Sequence, residues 1–334
     1  LKTQYLYFYP VFEGSQVQTQ KNIVVLGTGG TIAGVAASGS DHTAYVAAQL
    51  GLDQLVSAVP QLAAWGDRLQ LEQVAQLDSK DMDHATWQTL ARRCAAWLAQ
   101  PQVGAIVITH GTDTLEETAW FLQSVLAPTK PVILTCAMRP ATALSPDGPQ
   151  NLLDAISVAA DPRASLQAPG AVLAVCAGRI HAAEHVSKVH PYRLDAFSSG
   201  EHGDLGWVQD GRPRWAAAAM APAQAHPHAQ QALSRPVSQW PWVDVMHSHA
   251  GVDARRVTAL ARAGLHGLVI AGTGNGTVHS ALQTSLQQVQ GLTVRLSSRC
   301  ALGQIVGEPA TWVPAPRGLN PYKARISLML DLMA

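Results

Sequence analysis

Residues 23–26, 105–109, 131–135 and 171–175 are short, continuously apolar runs rich in β-branched side chains, the pattern of strands buried on both faces. Between these runs the apolar period changes. Over 83–98, Trp87, Leu90, Cys94 and Leu98 recur at helical spacing, and over 148–160 Leu152, Ile156 and Ala159 do the same. Strand and helix in alternation predict a parallel α/β sheet covered by helices. After Asp210 the pattern breaks into a stretch rich in Ala, Pro, His and Gln, and 211–239 reads as a linker with some helix. A second α/β unit follows, with strands expected at 242–246, 267–271 and 292–296 and helices near 253–263 and 280–289. The pattern therefore predicts an α/β protein with a larger N-terminal parallel-sheet domain over 21–210 and a smaller C-terminal α/β domain over 240–334. There is no internal repeat.

A chain of 334 residues fits two domains better than one core. Charged residues are only 14% of it against 47% apolar. That is well below the roughly 25% charged content of average soluble proteins, so part of the surface is expected to lie in contacts of a homo-oligomer. With 23 basic and 23 acidic side chains no field draws the protein to nucleic acid, and the pairs Arg92-Arg93 and Arg255-Arg256 read as solvated helix faces. No stretch has the ~18 uncharged apolar residues of a spanning helix, so no membrane partner is expected. Residues 1–20 are aromatic-rich without a basic start or long apolar core, and read as an added edge strand or expression remnant rather than a signal peptide. Cys94, Cys136, Cys176 and Cys300 are widely spaced and read as free thiols, favouring the cytoplasm. A signal removed ahead of Leu1 would place the chain in the periplasm instead.

The first strand runs into Gly27-Thr28-Gly29-Gly30-Thr31-Ile32-Ala33-Gly34 at the sheet's carboxyl edge, where open α/β folds bind ligands. A dinucleotide fingerprint needs glycine where Ile32 stands, and a phosphate loop needs lysine where Val35 stands, so both fail. On its own the segment could be a tight turn with a solvent-facing threonine. Its functional reading is a set of backbone N–H groups around an anion, with the Thr31 hydroxyl beside them. A second strand end, Thr109-His110-Gly111-Thr112-Asp113-Thr114-Leu115-Glu116-Glu117-Thr118-Ala119, repeats the combination of glycine, threonine and acid.

Together the two segments resemble the signature motifs of the bacterial-type L-asparaginases. The resemblance continues through Ala137-Met138-Arg139-Pro140, Ser145-Pro146-Asp147-Gly148-Pro149-Gln150-Asn151-Leu152, Gly272-Thr273-Gly274-Asn275-Gly276 and Gly318-Leu319-Asn320-Pro321. It covers nearly all of the chain from Asn22 onward. It implies hydrolysis of L-asparagine, with L-glutamine as an alternative substrate, no cofactor and no metal, in a homotetramer built as a dimer of dimers. By resemblance Thr31 is the nucleophile beside Gly30, and Tyr45 is its activating partner. Thr112, Asp113 and Lys188 form a second hydroxyl–acid–amine relay beside Gly111. Ser79 and Asp113 hold the substrate's α-carboxylate and α-ammonium, and Asn275 and Glu308 come from a neighbouring subunit. Either Thr31 or Thr112 could make the attack.

The residue chemistry fits this assignment. A threonine hydroxyl is a poor nucleophile near neutrality and needs a base, which a desolvated lysine supplies. Read alone, Lys188 is an ordinary surface lysine, and Tyr45, behind Gly34, Ser38, Gly39 and Ser40, sits in a lid-like loop. Lys80 departs from the pattern, because periplasmic members carry glutamine or glutamate there and lysine cannot accept a hydrogen bond from an ammonium. It must be neutral, turned away or paired with an acid, Asp113 being the named candidate, and weaker binding of the substrate's amino end is expected. Two other classes compete. His181-Ala182-Ala183-Glu184-His185 fits a zinc-peptidase H-x-x-E-H pattern, which needs both histidines on one helix face. An inactive amino-acid-binding protein on the same scaffold is the other. His247 and His249 read as exposed strand-end residues.

Overall fold

The computed structural model describes residues 21–39, 44–216, 218–307 and 311–334, so residues 1–20 and Glu308 lie outside the described part. Twelve strands and six longer helices carry the argument. An eight-stranded sheet uses β1 (Asn22–Gly29), β2 (Leu69–Leu77), β3 (Val103–Thr109), β4 (Val132–Thr135), β5 (Val172–Cys176), β6 (Arg179–Ala182), β7 (Gly206–Gln209) and β8 (Arg212–Trp215). Its order is β8-β7-β6-β5-β4-β3-β1-β2. The five strands from β5 to β2 are parallel, and β6, β7 and β8 continue as an antiparallel meander. Residues 211–239, expected as linker, thus begin as an edge strand of this sheet, and only their later part carries a short helix, Ala229–Ser234.

The apolar runs form strands because alternate residues enter two different cores. Val24, Leu26, Ile106, Ile108 and Leu134 face one core, with helices α1 (His84–Leu98) and α2 (Leu115–Leu126) packed on it. Ile23, Val25, Ala105, Val107 and Ile133 face the other, closed by α3 (Gly148–Ala160) through Leu152, Ala155 and Ile156. Burial of each large aliphatic side chain contributes roughly 1.5–3 kcal/mol, so a strand with no polar face is stable only between two such layers. Asp83 caps α1 by accepting from the Thr86 N–H at 2.7 Å.

The second sheet has the parallel order β9 (Val243–His247), β10 (Gly267–Gly272), β11 (Thr293–Ser298) and β12 (Val313–Pro314). Helices α4 (Arg255–Arg262) and α5 (Ser280–Gln288) cover one face through Val257, Leu282 and Leu286. The last helix, α6 (Pro321–Asp331), covers the other, and its Ile326, Met329 and Leu330 join the core that also contains α2. One helix therefore ties the second sheet to the element that follows Thr112. Among the described residues Cys94, Cys136 and Cys176 are buried free thiols and Cys300 an exposed one. No described helix is long and apolar enough to cross a membrane.

Candidate active site

In space β1 lies between β2 and β3, although it precedes both in the chain. The chain leaves β1 for β2 on one side and then crosses back to β3 on the other, which makes this the switch point where open α/β sheets leave a crevice. All three strand ends supply site residues there. After β1, Gly29 and Gly30 turn through φ of 100° and 82°, and the Gly30 N–H donates to the Leu77 carbonyl at 2.9 Å. A side chain on Gly30 would stand 2.3 Å from the Gly111 Cα, so the two threonine turns touch backbone to backbone. Thr31 follows in a 3₁₀ turn, buried, with its Oγ1 2.7 Å from the Tyr45 Oη. Tyr45 reaches it from a two-residue ladder in which it pairs with Ala36.

The turn after β3 places Thr112 and Asp113 just ahead of α2. Lys188 arrives from the short ladder Ser187–Lys188 and donates through Nζ to Thr112 Oγ1 at 2.8 Å and to Asp113 Oδ1 at 2.6 Å. Ser79, after β2, is buried and braces this turn. Its Oγ accepts from the Asp113 N–H at 3.1 Å and its carbonyl accepts from the Thr114 hydroxyl at 2.7 Å. A hydroxyl that accepts one bond still has its proton to donate. Two hydroxyls, each with its own proton partner, thus converge at one crevice.

The chain matches the family model "Asparaginase, N-terminal" over residues 22–221 and the model "Glutaminase/Asparaginase C-terminal domain" over 242–334. The chain belongs to the asparaginase family. It is 38% identical to the glutaminase-asparaginase of Pseudomonas fluorescens biotype A, across 98% of this chain and 91% of that one. It is 34% identical to a probable periplasmic L-asparaginase of Haemophilus influenzae, across 93% and 88%. The crystal structure of a probable cytoplasmic L-asparaginase from Campylobacter jejuni superposes with a TM-score of 0.86 at 36% identity, covering 93% of this chain and 95% of that one.

Other expected residues of this asparaginase-family chain stand as follows. Lys80 does not pair with Asp113. Its Nζ donates to Asp78 Oδ2 and Asp81 Oδ2, each at 2.9 Å, on an exposed turn, and these two carboxylates raise its proton affinity further. It is a charged lysine held by its own neighbours in sequence. Asn275 sits on an exposed turn after β10, where its side-chain amide donates to the Val306 carbonyl at 2.9 Å and accepts from the Val306 N–H at 2.8 Å. Within the subunit it therefore fixes the 300–307 loop. His247 and His249 are exposed.

The H-x-x-E-H segment is not a helix. His181 lies within β6 and His185 in the turn after it, so the face-sharing that pattern requires is missing. Ser199 Oγ at 2.9 Å and Asp204 Oδ1 at 3.0 Å hold the His181 Nδ1, while the His185 ring stacks on His202 with centroids 3.7 Å apart. Among the described residues no three His, Cys, Asp or Glu side chains converge as metal ligands.

Sequence reasoning missed four residues at this site. His110 is fully buried beneath the Gly111 turn, its Nδ1 2.7 Å from the Gly111 carbonyl, and burial lowers its pKa to about 4, so its ring is neutral. Glu116, Asn320 and Lys323 hold the 184–188 segment that carries Lys188. Glu116 was in view within the second motif, but nothing in the sequence marks it as buried.

Proposed function

We propose that this asparaginase-family enzyme hydrolyses the side-chain amide of L-asparagine to L-aspartate and ammonia by attack of a threonine hydroxyl, Thr31 or Thr112. The observation that supports this most directly is the contact of the two strand-end turns, each bringing one hydroxyl with its own proton partner into the crevice. Attack forms an acyl–enzyme ester as the amide nitrogen leaves with a proton, and water then cleaves the ester. Tyr45 serves Thr31, and Lys188 bridges the Thr112 hydroxyl and the Asp113 carboxylate, so it passes a proton along that row. The Gly30 N–H is already given to the Leu77 carbonyl, so the donors read for the developing oxyanion are other backbone N–H groups of the two turns. Ser79 donates to the substrate's α-carboxylate. Asp113 offers its second oxygen, which has no partner among the described residues, to the α-ammonium.

Low charge content and exposed Val189, Tyr192, Leu302 and Val306 support a homo-oligomer, read as a tetramer of two dimers, with Asn275 reaching a neighbour's site. The free cysteines support a cytoplasmic location. The test is ammonia release from asparagine and from glutamine, with and without a chelator. Turnover of asparagine that a chelator leaves unchanged is expected. No release from either amide would favour a binding protein on this scaffold, and loss on chelation restored by zinc would overturn the threonine chemistry.

Lys80 adds a prediction on specificity. Lys80→Gln removes an ammonium from the turn that follows Ser79 and supplies an amide oxygen that can accept from the substrate's α-ammonium. The KM for asparagine should fall about two- to fivefold, the scale of an exposed charge contact, with kcat nearly unchanged because the unreacting end binds ground and transition states alike. Steady-state kinetics of the two proteins decide it, and an unchanged KM would place Lys80 outside the binding shell.

A further inference from the structure

Lys188 lies on a two-residue ladder with Phe197–Ser198 that is separate from the main sheet, a weak platform for an amine that must meet a hydroxyl within hydrogen-bond reach. Its backbone is held from elsewhere. Glu116, in the first turn of α2 and four residues beyond Thr112, accepts the Lys188 N–H on Oε2 at 2.6 Å. Its other oxygen, Oε1, accepts from the Asn320 side-chain amide at 3.0 Å. Asn320 also donates to the Ser187 hydroxyl at 3.1 Å and caps α6 by accepting from the Lys323 N–H at 3.0 Å. Lys323 is 1% exposed, and its Nζ donates to the Glu184 carbonyl at 3.0 Å and the Val186 carbonyl at 2.5 Å. Every residue from Glu184 to Lys188 except His185 is thereby bonded by Glu116 or by the start of α6, directly or through one side chain, or packed in the core as Val186 is.

We propose that Glu116 is the positioning residue that sets the Lys188 amine against Thr112, and that Asn320 and Lys323 of the last helix lock it in that place. This rests on the reading of Lys188 as part of the reacting row. The turn and helix that present Thr112 and Asp113 to the Lys188 amine also grip the Lys188 backbone, so amine and hydroxyl are referenced to one rigid element. The carboxylate is well suited to this. It is an acceptor only, it takes two N–H donors at once, and a buried ammonium stands near it. Burial pushes the Glu116 carboxyl up and the Lys323 amine down to about 8, and their mutual attraction opposes both shifts. The last helix of the chain thereby becomes part of the support of the site in its own subunit.

The experiment measures kcat and KM for asparagine in Glu116→Ala and Glu116→Gln, alone and combined with Lys188→Met, beside the thermal unfolding of each. Misplacement by about 1 Å costs up to roughly 100-fold, so Glu116→Ala should lower kcat by about 10- to 100-fold with KM within about twofold. Glu116→Gln keeps an acceptor for the Lys188 N–H and should recover part of that loss. In the Lys188→Met background, Glu116→Ala should cost no further kcat, because a residue acting through Lys188 has nothing left to position. A wild-type kcat in Glu116→Ala, or the same proportional loss with and without Lys188, overturns the proposal while leaving the threonine mechanism standing. Full activity of Lys188→Met itself would overturn the relay and the proposal together. If Glu116→Ala does not fold, Asn320→Ala is read the same way, with a smaller loss of kcat and the same lack of additivity.

Discussion

Replacing Thr31 or Thr112 by alanine is expected to lower kcat for asparagine at least roughly a thousandfold, with the protein still folded. Tyr45 stands 2.7 Å from the Thr31 hydroxyl and Lys188 donates to that of Thr112 at 2.8 Å, and neither has a reacting atom to serve once the hydroxyl is gone. The structural loss is small by comparison. A hydrogen bond of this kind contributes about 0.5–1.5 kcal/mol net, against a folding stability of roughly 5–15 kcal/mol for a typical protein. The double variant should be little worse than the poorer single one, because groups that act as a unit lose their effect together. Serine at either position keeps the hydroxyl and should return part of the activity. The readout is ammonia release beside a thermal melt. Wild-type turnover in both single alanine variants would sink the two-threonine mechanism.

How far this site was legible depends on how local its signals are. The two glycine–threonine turns could be read because each follows a strand buried on both faces, and such a strand declares itself by an unbroken apolar run. The strand Leu69–Leu77 escaped that reading. It is the outer strand on its side of the sheet, so Gln70, Glu72, Gln73 and Gln76 interrupt its apolar residues. The strands Gly206–Gln209 and Arg212–Trp215, the second at the sheet's edge, were missed, and the second was taken for linker, because short strands partly open to solvent need no apolar run. The helix Pro321–Asp331 was missed for the opposite reason. It is buried on nearly every side, and Lys323 and Arg325 stand among its inward positions, so no polar face gives it a helical period.

Long-range pairing explains the rest. Lys188 meets Thr112 across 76 residues and Asn320 meets Glu116 across 204, and no spacing rule connects such positions. Only the likeness to a family put Lys188 in the site. Lys80 is paired with acids, one of the alternatives its sequence left open, but with its near neighbours rather than with the named Asp113. Asp78 and Asp81 flank it in the chain, and a short turn brings both carboxylates to its amine without help from the substrate site.

The second large effect is expected at a position with no side chain. Gly30→Ala should lower kcat on the order of a hundredfold and also destabilise the fold by about 1–3 kcal/mol, since Gly30 has φ 82° and ψ −172°, a region that is nearly glycine's alone. The backbone strain is only half of the argument. The added methyl would lie 2.3 Å from the Cα and 2.4 Å from the nitrogen of Gly111, and these backbone atoms have no rotamer by which to yield. The turn bearing Thr31 must therefore move away from the turn bearing Thr112, by roughly the 1 Å at which preorganised chemistry fails. Gly111→Ala offers a graded comparison, because its methyl meets the Ser79 side chain at 2.4 Å and 2.6 Å, and a side chain has some freedom to give. Gly66→Ala is the control. At φ 49° with nothing within 4 Å of the new methyl, it should destabilise and leave kcat alone. Steady-state kinetics and melts of the three variants separate strain from separation of the turns. A Gly30→Ala protein that is destabilised like Gly66→Ala yet turns over asparagine at the wild-type rate would show that the close approach of the two turns is not what catalysis needs.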